Sequence, residues 1–290
     1  MYLSYSGFKL YQECPRAYWH RYIDKTKLPK PDNRVHMLYG DTVGKLFEAF
    51  YNEGIWRANT TRTLLARIPS TMAKIVQAET RRGGIFDWAE PKLKLGTRSI
   101  EEVAVEVQES VPRGLRIIRH HRLLGHDAQA EVSLDQTVEG HKLGGRADFL
   151  MRRVQGDLVL LDGKGSRWRE KYVSRTQLLW YAMLYWLRFE TLPDRLGFLF
   201  WRFEPEESMD WSGVTVSEVQ SLLTAAMTAI EAIEAAMKEQ LSKGPGAAPG
   251  ATFWANPSSE CKLCSYLPIC AEGNKKAPKF DPNGVEDFSF

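Results

Sequence analysis

Cysteine is scarce in this chain, with four in 290 residues. No apolar run is long enough to span a bilayer, and the N-terminus does not read as a signal peptide. Cytoplasmic residence with no membrane partner is therefore the expectation. Thiols are kept reduced there, so a C-x2-C pair reads as a metal or redox site before it reads as a disulfide. Charge of one sign is also lacking. Thirty-nine basic residues against 36 acidic leave a net +3, too little by itself to argue for nucleic acid. No Gly-x-x-x-x-Gly-Lys-Ser/Thr phosphate loop occurs, which excludes a helicase motor of that type. There is no internal repeat, and no low-complexity tract beyond one alanine-rich helix. What remains is 43% hydrophobic and 26% charged, the composition of a soluble globular protein with length for one large domain or two ordinary ones.

Periodicity changes along the chain. Ser6 to Ile23 reads as a helix with Ser6 as N-cap, kinked or broken at Pro15. A basic, proline-containing loop follows over Lys25 to Asn33. Met37 to Asn52, Thr60 to Glu79 and Ser99 to Leu124 read as three more helices, the last interrupted at Pro112–Gly114. Ala128 to Val138 and Lys142 to Arg152 read as strands around a turn at Glu139–Gly140. Leu158 to Leu161 is a short strand after a turn at Gly156–Asp157. Lys171 to Glu190 is an amphipathic helix, and Leu196 to Phe203 returns to strand. Val216 to Leu241 is the alanine-rich helix, Lys243 to Gly250 a flexible connection, and the polar tail follows Gly273. The order β-β-β-α-β after a helical first third predicts an α/β fold, a mixed sheet flanked by helices.

Two basic clusters stand out. Lys164, Arg167, Arg169, Lys171 and Arg175 accompany a single acid, Glu170. Arg113, Arg116, Arg119, His120, His121 and Arg122 form the second. Either can neutralise phosphates, and either is equally an ordinary solvated helix face.

All four cysteines fit one pattern. Cys14 stands alone, and Cys261, Cys264 and Cys270 form C-x2-C-x5-C. A set split across the chain can meet only if the fold brings both segments together. Four-cysteine zinc sites usually come as two C-x2-C halves. One distant cysteine plus C-x2-C-x5-C fits a [4Fe–4S] cluster better, with zinc the remaining alternative.

Between the cysteines lie Gly145-Arg-Ala-Asp148, Asp162-Gly-Lys164 and Gln177-Leu-Leu-Trp-Tyr181. Asp148 falls within one strand and Asp162 ends the next. Neighbouring strands are ~5 Å apart, so both carboxylates can share one hard cation such as Mg²⁺. Gly163 offers a carbonyl at the strand end. Lys164, two residues beyond Asp162, lies on the same strand face, where its ammonium can polarise water or stabilise a phosphorane-like transition state. Singly, each residue is an ordinary turn or surface residue; the ordered set points to phosphodiester cleavage.

These motifs resemble the PD-(D/E)XK nuclease superfamily, and specifically its RecB-like branch, through Gly145-x-x-Asp148, Asp162-x-Lys164 and Gln177-x-x-x-Tyr181. The cysteine pattern, with Ser4-Tyr-Ser6 and Cys14-Pro15, is similar to that of the branch's iron–sulfur members: CRISPR-associated single-strand exonucleases, AddB-type helicase–nuclease subunits and related phage exonucleases. The resemblance implies a restriction-endonuclease-like domain over 1–274, whose N- and C-terminal segments are joined by a [4Fe–4S] cluster. Within it, 1–125 is mostly helical, 126–205 holds the catalytic sheet and helix, and 206–274 holds the C-terminal helix and cysteine segment. Residues 275–290 are a tail.

The resemblance also implies Mg²⁺ or Mn²⁺ on Asp148, Asp162 and the Gly163 carbonyl, with Lys164 activating water. Gln177 positions Lys164 or the phosphate. Tyr181, Arg167, Arg169 and Lys171 are candidate DNA contacts, although helical spacing suits Tyr181 equally to a core role. Tyr18, Trp19 and Tyr22, and Lys262 with Tyr266, can face either nucleic acid or the cluster. DNA is the expected partner, with a helicase, a recombinase or a CRISPR integration complex as further partners.

One position departs from the family pattern. A metal-binding histidine is expected where Gly40-Asp-Thr-Val43-Gly44 places Gly44. Glu48, one helical turn on, can supply a carboxylate instead. Asp41 and His36 are weaker substitutes, and Glu131 is a candidate for a contact just outside the metal ligands.

Overall fold

The computed structural model describes residues 1–25, 33–57, 59–89, 99–125, 127–169, 173–244, 249–259, 261 and 264–276. In chain order the elements are β1 (Tyr2–Ser4), α1 (Tyr5–Glu13), α2 (Pro15–Tyr18), a π-helical turn (Trp19–Ile23), α3 (Leu38–Asn52), α4 (Thr60–Arg81), α5 (Ile100–His120), β2 (Gln129–Ser133), β3 (Gln136–Val138) and β4 (His141–Gly144). Then come β5 (Arg146–Arg152), β6 (Leu158–Lys164), α6 (Arg175–Phe189), β7 (Arg195–Phe200), β8 (Met209–Ser212), α7 (Val216–Ser242) and α8 (Ala271–Lys276). They gather into two compact units, one of residues 1–32, 138–143 and 223–290, the other of 33–137 and 144–222.

The larger unit is built on a five-stranded sheet in the order β2-β5-β6-β7-β8. β6 is antiparallel to β5 and parallel to β7, and helix α6 makes the crossover that parallel neighbours require. Leu158 to Asp162 of β6 are all buried, as befits a central strand covered on both faces. One core cluster joins Val43, Leu46, Phe47 and Phe50 of α3 and Val107, Val111, Ile117 and Ile118 of α5 to Phe149, Val159, Leu161 and Trp201. Phe47 stacks flat on Trp201, with ring centroids 4.3 Å apart.

Several boundaries differ from the sequence reading. The N-cap of the first helix is Ser4 rather than Ser6, and its hydroxyl accepts from the Gly7 N–H at 3.2 Å. α5 runs through Pro112 without a break. The proline removes one hydrogen bond, and the buried Val111, Leu115, Ile117 and Ile118 around it outweigh that loss. Each of the two long strands divides, because β2 and β5 pair with one another while β3 and β4 belong to a separate three-stranded sheet ordered β1-β4-β3. The turn at Glu139–Gly140 is where expected, with φ of +50° and +80°. The edge strand β8 had no sequence signal, being four residues without alternation. Residues 26–32, 245–248 and 277–290, which include most of the two connections and the tail, lie outside the described residues.

In the smaller unit, β1 pairs with β4, and Arg16 of α2 ties down the cysteine-bearing segment. Its guanidinium donates to the carbonyls of Phe253 at 2.7 Å and Gly250 at 3.0 Å, and pairs with Glu272 at 3.6 Å.

Candidate functional site

The register of the central strands places the carboxylates. Phe149 faces Leu161 across β5 and β6, so Asp148 stands abreast of Asp162. Across β5 and β2, Ala147 faces Val132 and Phe149 faces Ala130, so Asp148 also stands abreast of Glu131. Glu131, Asp148 and Asp162 therefore occupy matching register positions on three adjacent strands.

Asp162 is buried, and Asp148 is half-buried. Burial first, and the neighbouring Asp162 charge second, push the Asp148 carboxyl up to about 8; the Gly163 N–H, donating to Asp148 Oδ2 at 2.7 Å, opposes that rise. Burial also raises Asp162, against the pull of Lys164, whose ammonium sits 2.6 Å from Asp162 Oδ2. Gln177, in the first turn of α6, links the group. Its Oε1 accepts from Lys164 at 3.1 Å, and its Nε2 donates to Asp162 Oδ1 at 2.8 Å and to the Tyr181 hydroxyl at 3.1 Å. Asp148, Asp162, Gly163, Lys164, Gln177 and Tyr181 are thus one connected set. The Tyr181 ring is 9% exposed and packs beneath Gln177.

Glu48 makes an ion pair with Lys45, one turn away on α3, and Lys45 lies 3.9 Å from Glu131. Asp41 has Arg34, Glu79 and Lys45 as its charged neighbours, and its carboxyl is raised by burial. A side chain on Gly44 would meet nothing within 4 Å.

Several of the clustered basic residues are engaged with acids or carbonyls. Arg167 and Arg202 share Glu106, Arg113 and Arg116 share Glu204, and Arg175 pairs with Glu218. Arg169 donates to the Met209 carbonyl at 3.4 Å and lies over the Phe200 ring. Lys171, Glu170 and Lys262 lie outside the described residues.

In the smaller unit, Cys14, Cys261, Cys264 and Cys270 line one pocket with Ala17, His20 and Tyr266, and all four thiols are free. Two of the sulfurs accept backbone N–H groups, Cys261 from Ser258 at 3.4 Å and Cys270 from Gly273 at 3.3 Å. Burial pushes the Cys264 thiol up, with the other three cysteines adding to it. His20 stacks on Tyr266 at 5.1 Å. Tyr18 is buried against Tyr11 and Tyr22, so its ring serves packing.

Among the described residues, no group of three or more His, Cys, Asp or Glu side chains is already arranged to hold a metal ion. In the sheet, Lys164 stands against Asp162, and Lys45 and Arg146 stand against Glu131.

A mixed sheet with paired carboxylates and a lysine at the end of its central strand, flanked by helices, defines a hydrolytic nuclease scaffold. The chain belongs to the PD-(D/E)XK nuclease superfamily, whose family model matches residues 2–271. Among solved structures, the crystal structure of SSO0001 is 17% identical with a TM-score of 0.31, over 59% of this chain and 75% of that one. A "Putative exonuclease" from Eubacterium rectale is 13% identical with a TM-score of 0.43, over 99% of this chain and 92% of that one. Both likenesses are too loose to bear on activity. A comparison with curated proteins gives no match.

Sequence reasoning missed the cationic frame of Lys45 and Arg146 around Glu131. Arg146 stands inside the Gly145–Asp148 motif and Lys45 beside Gly44, but only strand pairing joins them.

Proposed function

We propose that this chain is a metal-dependent deoxyribonuclease, an exonuclease that hydrolyses phosphodiester bonds in single-stranded DNA or at duplex ends. The observation that carries the reading is the connected set of Asp148, Asp162, Lys164 and Gln177. Two carboxyls abreast, Asp162 buried and Asp148 half-buried, suit a hard divalent cation with oxygen ligands. Asp148, Asp162 and the Gly163 carbonyl are the residues that would hold Mg²⁺ or Mn²⁺. A cation there supplies Lewis acidity toward water and the phosphoryl oxygens.

The protein's own part follows from the geometry. Gln177 fixes both Lys164 and Asp162, so the ammonium is held in place before substrate arrives. Lys164 Nζ can then stabilise the charge that grows on phosphoryl oxygens, or orient the attacking water. Arg167, Arg169 and Lys171 are proposed to meet the DNA backbone, exchanging carboxylates such as Glu106 for phosphates.

The cysteine pocket is proposed to hold a [4Fe–4S] cluster with a structural role. Four half-buried thiols in one pocket, with N–H groups donating to two sulfurs, support this assignment. The proposed setting is the cytoplasm, in recombination, phage replication or CRISPR adaptation, alongside a helicase, recombinase or integration complex.

The test is digestion of end-labelled single- and double-stranded DNA with Mg²⁺ and with Mn²⁺. Asp162→Asn and Lys164→Ala are expected to abolish degradation with the cluster intact. Both variants digesting at the parental rate would overturn the assignment. The empty space at Gly44 favours a second reading, a weakened nuclease that serves as a DNA-binding or assembly subunit. DNA binding without turnover in either metal would support it, and clear turnover would end it.

A further inference from the structure

We infer that Glu131, rather than Glu48, is the third carboxylate of the cation site, doing the work expected of a histidine at Gly44. The inference rests on the proposed metal-dependent reading of the sheet site.

Three observations converge on Glu131. The β2–β5 pairs on either side, Ala130 with Phe149 and Val132 with Ala147, put it level with Asp148, which in turn stands level with Asp162. The φ of Glu131 is +57°, a left-handed backbone in mid-strand that is costly for a residue with a side chain. That strain persists with no extra residue in the ladder, so its effect is to re-aim one peptide and its side chain. The neighbouring peptide is clamped to allow this. Asn52 of α3 donates to the Ala130 carbonyl and accepts from the Ala130 N–H, both at 3.0 Å, closing the open edge of β2 beside Glu131.

Glu131 is also held in reserve by cations. Its carboxylate pairs with Arg146, two residues before Asp148, and lies 3.9 Å from Lys45. Lys45 pairs in turn with Glu48. Toward a divalent cation Glu131 would give up its ion pair with Arg146 and act as a ligand, while Glu48 would stay paired with Lys45.

The experiment measures Mn²⁺ binding to the full chain by the loss of the free-ion paramagnetic resonance signal. Parent, Asp162→Asn, Glu131→Gln, Glu48→Gln and Arg146→Met are compared, each first checked for a folded circular dichroism spectrum. Glu131→Gln is expected to weaken Mn²⁺ at least about tenfold, the scale of a lost metal-site contact. Glu48→Gln and Arg146→Met are expected to bind within about threefold of the parent, an approximate margin for variants that leave the site's own ligands in place. Arg146→Met breaks the same ion pair without touching the carboxylate, so an equal loss in Arg146→Met and Glu131→Gln makes the role structural and overturns the inference. Parental binding by Glu131→Gln, or a larger loss in Glu48→Gln, overturns it too while Asp162→Asn still loses Mn²⁺. If Asp162→Asn binds as the parent does, the metal-site reading itself falls, and the inference with it.

Discussion

Asp148 is a carboxyl group that the fold keeps from ionising. In the unfolded chain it loses its proton around its ordinary value of 3.8; in the folded chain it holds that proton up to about 8. Between those values the folded state binds the extra proton, so stability falls as pH rises through the window, and the loss is complete above about 8. Asp148→Asn removes the titrating group. In chelator, the variant's melting temperature should gain on the parent's from about pH 4 to about pH 8.5, following the linkage between proton binding and stability. A constant difference would show that Asp148 is not the proton holder. Lys164 acts in the opposite sense, its ammonium lying 2.6 Å from buried Asp162. Lys164→Met should stay folded, because Asp162 can protonate once its partner is gone. Its turnover should fall at least about 100-fold, the scale of a lost acid–base or charge-stabilising group, in single-turnover digestion.

The elements meet at small residues. Gly165 follows the Lys164 end of β6 and lies against Gly40 of α3, where an added Cβ would come 2.7 Å from the Gly40 Cα and 3.2 Å from the Tyr39 ring. Backbone rather than a flexible side chain fills that space, so Gly165→Ala must push α3 from the strand end. The expected cost is ~1–3 kcal/mol in denaturant unfolding, the usual scale of overpacking. Turnover should fall with it, since Lys164 is the adjacent residue. Much at this scale was legible from pattern alone. The buried run of β6, the amphipathic faces of α3 to α5 and the turn at Glu139–Gly140 follow from periodicity and turn chemistry. Pro112 inside α5 did not, because local propensity argued for a break and long-range packing of Val111 and Leu115 decided otherwise.

For the whole molecule, the cysteines carry the prediction. Anaerobic purification should yield about four iron and four sulfide per chain, as a [4Fe–4S] cluster requires. Cys14→Ser should lose most of both. Hydrogen exchange should then rise over residues 1–25 and 249–276, while β5 and β6 stay protected, since they belong to the other compact unit. Stoichiometric zinc without iron would assign the pocket to zinc instead.

The sequence by itself determined which chemistry is available: two aspartates, a lysine and a glutamine in fixed order, and four cysteines with none to spare. Order along the chain is enough for that, because strand and helix periods are local and place Asp162 and Lys164 on one strand, and Gln177 and Tyr181 on one helix. Which groups stand beside which was decided only by tertiary structure. Register across β2, β5 and β6 lines up Glu131, Asp148 and Asp162. The backbone at Glu131 is left-handed, a conformation that strand periodicity does not signal. Burial, a property of the packed whole, raises both aspartate carboxyls above their ordinary range, against the pull of Lys164.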